Sequence, residues 1–251
     1  MFHRQASLTW NWRQKPEGIF SRNRWKRRMP HNCCKVMLYI FDFDGTIADT
    51  AAGIVRTMQA TFLECGYPEP HPEAIRATIG LPLSRAIAQL AHLPEGEALD
   101  IATATYRRLF ERIGTVGVTL FPGVRETLQQ LHDAGHVLTI ATGRGHVSAE
   151  NFCRDMGILP LLSDIVADED VVNKKPHAEP VLVLLKRHGA KPGEALVVGD
   201  TDYDIRMGKA AGVKTCGVTY GNHSRERLSA AGADFIIDDF RELLCRSQKV
   251  H

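Results

Sequence analysis

MLYIFDFDGT, residues 37–46, is a short apolar run that ends in two carboxylates, Asp42 and Asp44. A second apolar run, residues 195–198, leads in the same way into Gly199, Asp200 and Asp204. Short apolar runs that end in Asp and Gly are typical of buried strands in a parallel sheet. Sites in such sheets open beyond the carboxyl ends of the strands. The sequence therefore predicts that carboxylates more than 150 residues apart meet in one crevice.

The two acidic segments also indicate a bound cation. Carboxylates crowded into one site repel one another, so a cluster of them needs a positive charge in its midst. A hard ion that prefers oxygen ligands, such as Mg²⁺, is the expected occupant. A single Asp at a strand end is more simply a turn former or a helix N-cap. Two such segments in one chain favour the metal site.

Four motifs, in order along the chain, resemble those of the haloacid dehalogenase-like hydrolase superfamily, in particular its phosphoglycolate phosphatase-like branch. The first is Asp-x-Asp-Gly-Thr at residues 42–46, and the second is Thr142, which ends the apolar run 138–141. The third is Lys175 with Pro176 after it, where Ala178 replaces the usual middle proline. The fourth is Gly-Asp-x-x-x-Asp at residues 199–204. The likeness extends over about residues 37–244.

The resemblance implies a Mg²⁺-dependent phosphatase. Asp42 would be the nucleophile that forms an aspartyl-phosphate, and Asp44 would be the general acid and base. The metal would be held by Asp42, the backbone carbonyl of Asp44 and Asp200. Asp204 would hold metal-bound waters or Lys175 from the next layer of contacts.

Three further residues would contact the phosphoryl oxygens, namely Thr142, Gly143 and Lys175. Lys174 is a rival for the role of Lys175, although the proline that follows favours Lys175. A helix N-cap is the alternative role for Thr142. Asp202, inside the fourth motif, could be a ligand relay, but its offset from Asp200 favours a solvated loop residue or an N-cap. Asp49 is expected to be the N-cap of the first helix after the first strand.

The rest of the pattern predicts an α/β fold with a helical insertion. Ile54, Met58, Phe62 and Cys65 form one face of a helix, and further helices are expected over 72–78, 82–91 and 95–113. After residue 117 strands alternate with helices, which predicts a Rossmann-like parallel sheet with helices on both faces. Strands are expected near 136–141, 164–167, 195–199, 214–218 and 234–237, and helices over 145–156, 178–188, 203–211, 223–230 and 239–246. Residues 36–50 and 118–251 would form the core, and 51–117 a small helical cap like that of the phosphoglycolate phosphatase-like branch.

The cap is expected to select the substrate, a small phosphorylated metabolite. Candidates are Gly80, at a helix junction, and Arg85, with Arg56 and Arg76 as further arginines. Arginine suits a carboxylate or a second phosphate, but each of these could equally be a surface residue. Phosphoglycolate, pyrophosphate, nucleotides and sugar phosphates all remain open.

Several other classes of protein fit the motifs less well. A dehalogenase needs no acid two residues after its nucleophile, and Asp44 is present. The phosphonate hydrolases resemble Schiff-base enzymes that use a cap lysine, and residues 51–120 contain no Lys. A receiver-type signalling domain has about half of this length and no helical insertion. Phosphoryl transfer like that of β-phosphoglucomutase, or hydrolysis of pyrophosphate or nucleotides, remains the alternative function.

The first 35 residues differ in composition from the remainder. They contain nine Lys or Arg and one acid, together with all three tryptophans, whereas the 251-residue chain has a net charge of +2. Without apolar periodicity this segment is expected to be disordered and dispensable. A nucleic-acid or membrane-surface arm and a targeting peptide are the other interpretations.

The six cysteines show no metal-binding spacing, which fits a reducing cytoplasm. No apolar run approaches the 18 or so residues of a membrane helix. We therefore expect a cytoplasmic monomer or homodimer, with no nucleic-acid partner and no membrane association.

Overall fold

The computed structural model describes residues 36–247. The predictions for residues 1–35 fall outside this range. Within the described range, no helix combines the length and the apolar character needed to cross a membrane.

A parallel sheet organises the described chain. Its six strands lie in the order β5-β4-β1-β6-β7-β8, and every neighbouring pair is parallel. Their bounds are β1 Leu38–Phe41, β4 Val137–Ala141, β5 Asp164–Val166, β6 Ala195–Gly199, β7 Lys214–Val218 and β8 Phe235–Ile237. The first strand lies in the middle, with Leu38 opposite Val137 on one side and Ala195 on the other. The α/β prediction is confirmed.

Strand β1 shows why helices cover both faces of the sheet. Its side chains alternate, because successive residues of a strand point to opposite faces. Tyr39 and Phe41 belong to one apolar cluster, while Leu38 and Ile40 belong to another. The first cluster includes residues of α5 Val124–Asp133, α6 His146–Asp155 and α10 Glu242–Ser247. The second includes residues of α7 Glu179–His188 and α8 Asp202–Ala210. The remaining helix after residue 117 is α9 Arg225–Ala230.

Four of the predicted helices lie between two very short strands. β2 Ala48–Asp49 and β3 Thr119–Leu120 pair in an antiparallel ribbon that opens and closes this helical segment. Its helices are α1 Ala51–Glu64, α2 Pro72–Arg76, α3 Leu83–Ala91 and α4 Glu97–Leu109. We call residues 51–117 the cap segment. Its status as a separate domain remains a prediction.

Two local expectations for the cap segment were wrong. The sequence predicts one helix over 95–113, but the α-helix ends at Leu109 and continues as a π-helical turn, Phe110–Gly114. In addition, the N-cap position of α1 is occupied by Thr50, not by Asp49. Asp49 lies in β2 and is exposed, because pairing with Thr119 holds its backbone in the ribbon.

Candidate active site

Three neighbouring strands, β4, β1 and β6, bring the predicted site residues to one edge of the sheet. Asp42 follows β1, and its backbone N–H donates to the carbonyl of Val198 in β6 at 2.8 Å. Thr142 follows β4 and donates in the same way to Val166 at 2.9 Å. These bonds continue the parallel ladder by one residue beyond each strand. The side chains are therefore fixed by the sheet rather than by flexible loops.

Lys175 joins two of the carboxylates. Its Nζ donates to Asp42 Oδ1 at 2.5 Å and to Asp204 Oδ1 at 2.6 Å, and all three side chains are buried. Burial disfavours the charged lysine, but the nearby Asp204 and Asp42 outweigh it and raise the pKa of Lys175. Lys174, the rival candidate, instead pairs with Asp168. Lys175 is thus the lysine that meets the carboxylates.

Asp204 is held from behind by the start of α8. Thr201 is the N-cap of this helix and accepts a bond from the backbone N–H of Asp204. In return, Asp204 Oδ2 accepts from the Thr201 N–H at 3.1 Å and from its hydroxyl at 2.6 Å. This reciprocal capping box explains the spacing of the fourth motif. It leaves Oδ1 of Asp204 for Lys175.

Asp200 is held by three donors. Thr46 Oγ1 donates to its Oδ1 at 3.0 Å, and both the backbone and the side-chain amide of Asn222 donate to Oδ2 at 2.7 Å. Burial and the charge of Asp204 nevertheless raise the pKa of Asp200 to about 7. Burial also raises the pKa of Asp42, although Lys175 opposes that shift.

The carboxylates of Asp42, Asp200 and Asp204 fit a divalent cation. Each offers an oxygen, and these three atoms lie within 4.8 Å of one another. Asp42 Oδ2 is buried and has no hydrogen-bond partner. A set of oxygen ligands with one unsatisfied buried oxygen and two raised carboxylate pKa values suits a hard ion such as Mg²⁺. The residues present therefore fit the metal that the sequence predicts.

Asp44 faces away from these carboxylates toward a residue that the sequence analysis missed. Arg144 donates from Nε and Nη2 to both oxygens of Asp44, with Nε 3.0 Å from Oδ2. Thr50 Oγ1 also donates to Asp44, at 2.5 Å. The position of Arg144 in the sequence could have indicated this role. Arg144 lies two residues after Thr142, in the loop of the second motif, which reaches the same edge of the sheet.

The guanidinium of Arg144 lies in an aromatic cage. Its central carbon is 4.6 Å from the centroid of Phe110, 4.8 Å from Phe152 and 5.6 Å from Phe43. Nη1 donates to Ser148 Oγ at 3.2 Å. Cation–π contacts of this kind stabilise and orient a desolvated arginine. The rings and Ser148 therefore hold Arg144 independently of Asp44.

Thr142 is buried and does not cap a helix. The next helix, α6, begins at His146 and has Gly145 at its N-cap position. The Thr142 hydroxyl instead accepts from the backbone N–H of Arg144 at 3.1 Å. The loop of residues 142–144 thus curls around Thr142, which excludes the N-cap alternative and leaves its role at the phosphoryl group a prediction.

A cavity of about 910 Å³ opens between this edge of the sheet and the cap segment. Asp42, Asp44, Gly143 and Arg144 line it, and so does Gly80. A Cβ built on Gly143 would lie 3.4 Å from the carbonyl oxygen of Leu81, so the cap segment meets the second motif closely. The cavity is large enough for a small metabolite.

The predicted cap arginines lie elsewhere. Arg85 is exposed and is not among the residues that line the cavity. Arg76 is likewise exposed and outside the lining. Arg56 donates to the backbone carbonyls of Ile113 and Val116 and so ties α1 to the end of the cap segment.

Asp202 is not the solvated residue or the N-cap that the sequence predicts. It is buried, and its carboxylate pairs with Arg227 at 3.0 Å and with Arg206 at 3.1 Å. Its backbone N–H donates to Nδ1 of the buried His223 at 3.0 Å. The N-cap position belongs to Thr201. Two arginines from different helices thus compensate the buried charge of Asp202.

Several known proteins are similar to this chain. Residues 39–218 match the family described as haloacid dehalogenase-like hydrolase. The Dickeya dadantii protein named "Probable phosphatase IndB" is 36% identical over 210 residues, which cover 82% of this chain and 91% of that protein. The phosphoglycolate phosphatase of Salmonella typhimurium is 29% identical over 225 residues, covering 81% and 89%. A Bacteroides fragilis protein assigned to the haloacid dehalogenase-like hydrolases has a crystal structure with a TM-score of 0.80 at 29% identity, which covers 83% of this chain and all of that one.

Proposed function

The chain belongs to the haloacid dehalogenase-like hydrolases, and from this membership and its site we propose that it is a Mg²⁺-dependent phosphatase of a small phosphorylated metabolite. The observation that carries the proposal is the buried cluster in which Lys175 bridges Asp42 and Asp204 beside Asp200. A phosphoryl group needs a nucleophile in line with the leaving oxygen and positive charge around its other oxygens. This cluster offers both in one place.

Asp42 is the nucleophile in this proposal. Its carboxylate attacks phosphorus, the bond between phosphorus and the ester oxygen breaks, and an aspartyl-phosphate forms. Asp42 is suited to this role because it lines the cavity and is fixed by the sheet. Lys175 contributes positive charge next to the attacking carboxylate and holds it in one orientation.

Asp44 is the general acid and then the general base in this proposal. In the first step its carboxylic acid gives a proton to the departing ester oxygen, which leaves as an alcohol. In the second step its carboxylate takes a proton from a water molecule that attacks the aspartyl-phosphate. Inorganic phosphate is released and Asp42 is regenerated. The backbone and hydroxyl of Thr142 and the backbone of Gly143 lie at the same strand edge, where they would contact the phosphoryl oxygens.

Mg²⁺ would be held by Asp42 and Asp200 together with the backbone carbonyl of Asp44, while Asp204 holds Lys175. When bound, the ion supplies positive charge that offsets the phosphate and the crowded carboxylates. The substrate is a small phosphomonoester, in line with the cavity volume of about 910 Å³. Similarity to a phosphoglycolate phosphatase supports phosphoglycolate as the first substrate to test.

The nucleophile assignment is tested by Asp42→Asn. We expect its kcat to fall below about a hundredth of the wild-type value, because an amide cannot form the aspartyl-phosphate. Glu150→Gln is the matched control, since Glu150 pairs with Arg154 on the outer surface of α6 and away from the cluster. Wild-type activity should vanish in EDTA, return with Mg²⁺ and be inhibited by Ca²⁺, whose looser coordination disfavours in-line geometry. Full activity in EDTA, or an active Asp42→Asn variant, contradicts the proposal.

The substrate is tested with a panel of phosphorylated metabolites that includes phosphoglycolate, sugar phosphates, nucleotides and pyrophosphate. Release of inorganic phosphate from a monoester supports hydrolysis. Conversion of a sugar phosphate into its isomer without release of phosphate would instead support the mutase alternative.

A further inference from the structure

The pairing of Asp44 with Arg144 raises a difficulty for the acid and base role of Asp44. Both carboxylate oxygens already accept hydrogen bonds from the Arg144 fork, and Oδ1 accepts a further one from Thr50. A general acid must lie within hydrogen-bond reach of the ester oxygen that it protonates. Asp44 therefore has to leave Arg144 before it can act on a substrate at Asp42.

Arg144 cannot follow Asp44. Three aromatic rings surround its guanidinium and Ser148 holds Nη1, so its position does not depend on Asp44. Its side chain is only 9% exposed. If Asp44 moved away with nothing in its place, a desolvated guanidinium would lose its counterion, which is strongly unfavourable.

The cavity provides the place for a replacement. Arg144 and Asp42 both line it, so one ligand can reach the two residues together. The edge of Arg144 that carries Nε and Nη2 now binds a carboxylate, and it has the fork geometry that suits carboxylate or phosphate oxygens. An anionic group that occupied this edge would restore the charge balance and release Asp44.

We propose that Arg144 exchanges Asp44 for a second anionic group of the substrate, and that this exchange frees Asp44 for catalysis. The inference rests on the proposed phosphatase function and refines it. The preferred substrates are phosphomonoesters with a carboxylate or a second phosphate near the ester. Arg144 is then a specificity-determining residue, and the exchange couples recognition of the correct substrate to the release of the acid.

The test uses pairs of related substrates that differ in the second anionic group. Phosphoglycolate is compared with its neutral amide, and the bisphosphate of ethylene glycol with the monophosphate. We expect wild-type kcat/KM to favour the doubly anionic member of at least one pair by about tenfold or more, as for a charge-assisted bidentate contact. The pair that shows the preference distinguishes a carboxylate from a second phosphate.

Arg144→Met keeps the length and the packing against the rings but removes the fork. We expect it to reduce this preference to about threefold or less, because kcat/KM falls much further for the doubly anionic member of each pair than for the member without the second anionic group. Arg144→Lys should restore part of the preference through its charge. Arg154→Gln changes an exposed arginine of α6, the helix that follows the loop of Arg144, and as the control it should leave the preference unchanged.

Arg85→Gln tests the competing assignment, in which Arg85, the cap arginine that the sequence favours, binds the second anionic group. Loss of the preference in Arg85→Gln but not in Arg144→Met would overturn the inference. An equal fall in kcat/KM for both members of each pair in Arg144→Met would overturn it as well. Binding of phosphoglycolate to Asp42→Asn, measured by calorimetry with and without Arg144→Met, gives a readout that does not depend on turnover. If wild type hydrolyses no phosphomonoester of the panel, the proposed function itself fails.

Discussion

At the scale of a single residue, Gly45 determines the shape of the candidate metal site. Its φ is +86°, a left-handed conformation that side chains other than glycine rarely adopt. A Cβ at this position would lie 2.2 Å from Asp200 Oδ2 and 2.4 Å from the side-chain amide of Asn222. The glycine thus permits both the turn after the first motif and the close approach of the fourth.

We predict that the main effect of Gly45→Ala is weaker activation by Mg²⁺, and that its effect on the stability of the protein is small by comparison. The added methyl displaces the Asp200 carboxylate, so the Mg²⁺ concentration for half-maximal activity should rise about tenfold or more. Gly66→Ala is the matched control, because Gly66 has φ +74° but nothing within 4 Å of its Cβ position. It should lower stability by about 1 kcal/mol and leave Mg²⁺ activation unchanged. Equal Mg²⁺ dependence in the two variants would contradict the prediction.

Individual residues differed in how far the sequence could predict them. The motifs predicted that Asp42, Asp200 and Asp204 meet, because strand ends in a parallel sheet share an edge. The pairing of Asp44 with Arg144 could not be read in the same way. It depends on side-chain torsion angles in two loops that only the tertiary structure brings together. Asp202 was misjudged for a related reason, since Arg227 on α9 and the buried His223 reach it only in the tertiary structure.

At the scale of elements, the cap segment is built around an unusually close contact between α1 and the π-helical turn. A Cβ on Gly53 of α1 would lie 2.0 Å from the carbonyl oxygen of Gly114. The obstacle is backbone and cannot rotate aside. Phe110, the first residue of that turn, contributes a ring to the cage around Arg144. The close packing of α1 therefore also positions one wall of the active site.

We predict that Gly53→Ala destabilises the protein although alanine favours an α-helix by about 1 kcal/mol over glycine. Overpacking against Gly114 should lower the free energy of unfolding by about 2 kcal/mol and the melting temperature by about 5 °C. Gly193→Ala serves as the control, because nothing lies within 4 Å of its Cβ position and its φ is not in the left-handed region. A melting temperature for Gly53→Ala at or above that of wild type, measured by calorimetry, would show that the contact is not tight.

Hydrophobic periodicity predicted the helices and strands more reliably than it predicted the interruptions within them. The five predicted strands of the parallel sheet after residue 117 begin and end within about one residue of their predicted bounds, because a buried parallel strand needs a continuous apolar run. The change from α-helix to π-helix at Phe110 has no such signature. It arises where the last turn must widen beside Gly53, which is a property of packing and not of local composition.

At the scale of the whole molecule, the crowded carboxylates of the candidate metal site make the stability of the fold depend on pH. The pKa of Asp200 is raised to about 7 from an ordinary value of 3.8, and that of Asp42 is raised as well. Between about pH 4 and pH 7, the folded protein keeps a proton that the unfolded chain has released. The contribution of these groups to stability is therefore greatest at the acid end of this range and declines as the pH rises through it.

We predict that Mg²⁺ raises the melting temperature by a few degrees at pH 8 and by much less at pH 5. The ion binds ionised carboxylates in the folded state, and protons compete with it at the lower pH. Asp200→Asn is the control, since it removes both a ligand and the group with the raised pKa, and its melting temperature should barely respond to Mg²⁺. Differential scanning fluorimetry with and without Mg²⁺ at the two pH values measures this. A shift as large at pH 5 as at pH 8 would argue against carboxylate ligands.

The central place of β1 in the sheet has a consequence for synthesis of the chain. This strand leaves the ribosome early, yet one of its edges pairs with β6, more than 150 residues later. At about 5–20 residues per second, that edge waits on the order of 10 s for its partner. During this interval an apolar strand exposes unpaired backbone groups, which invite pairing with other chains. Nascent chains that stop before β6 should therefore depend on chaperones more strongly than longer ones that include it.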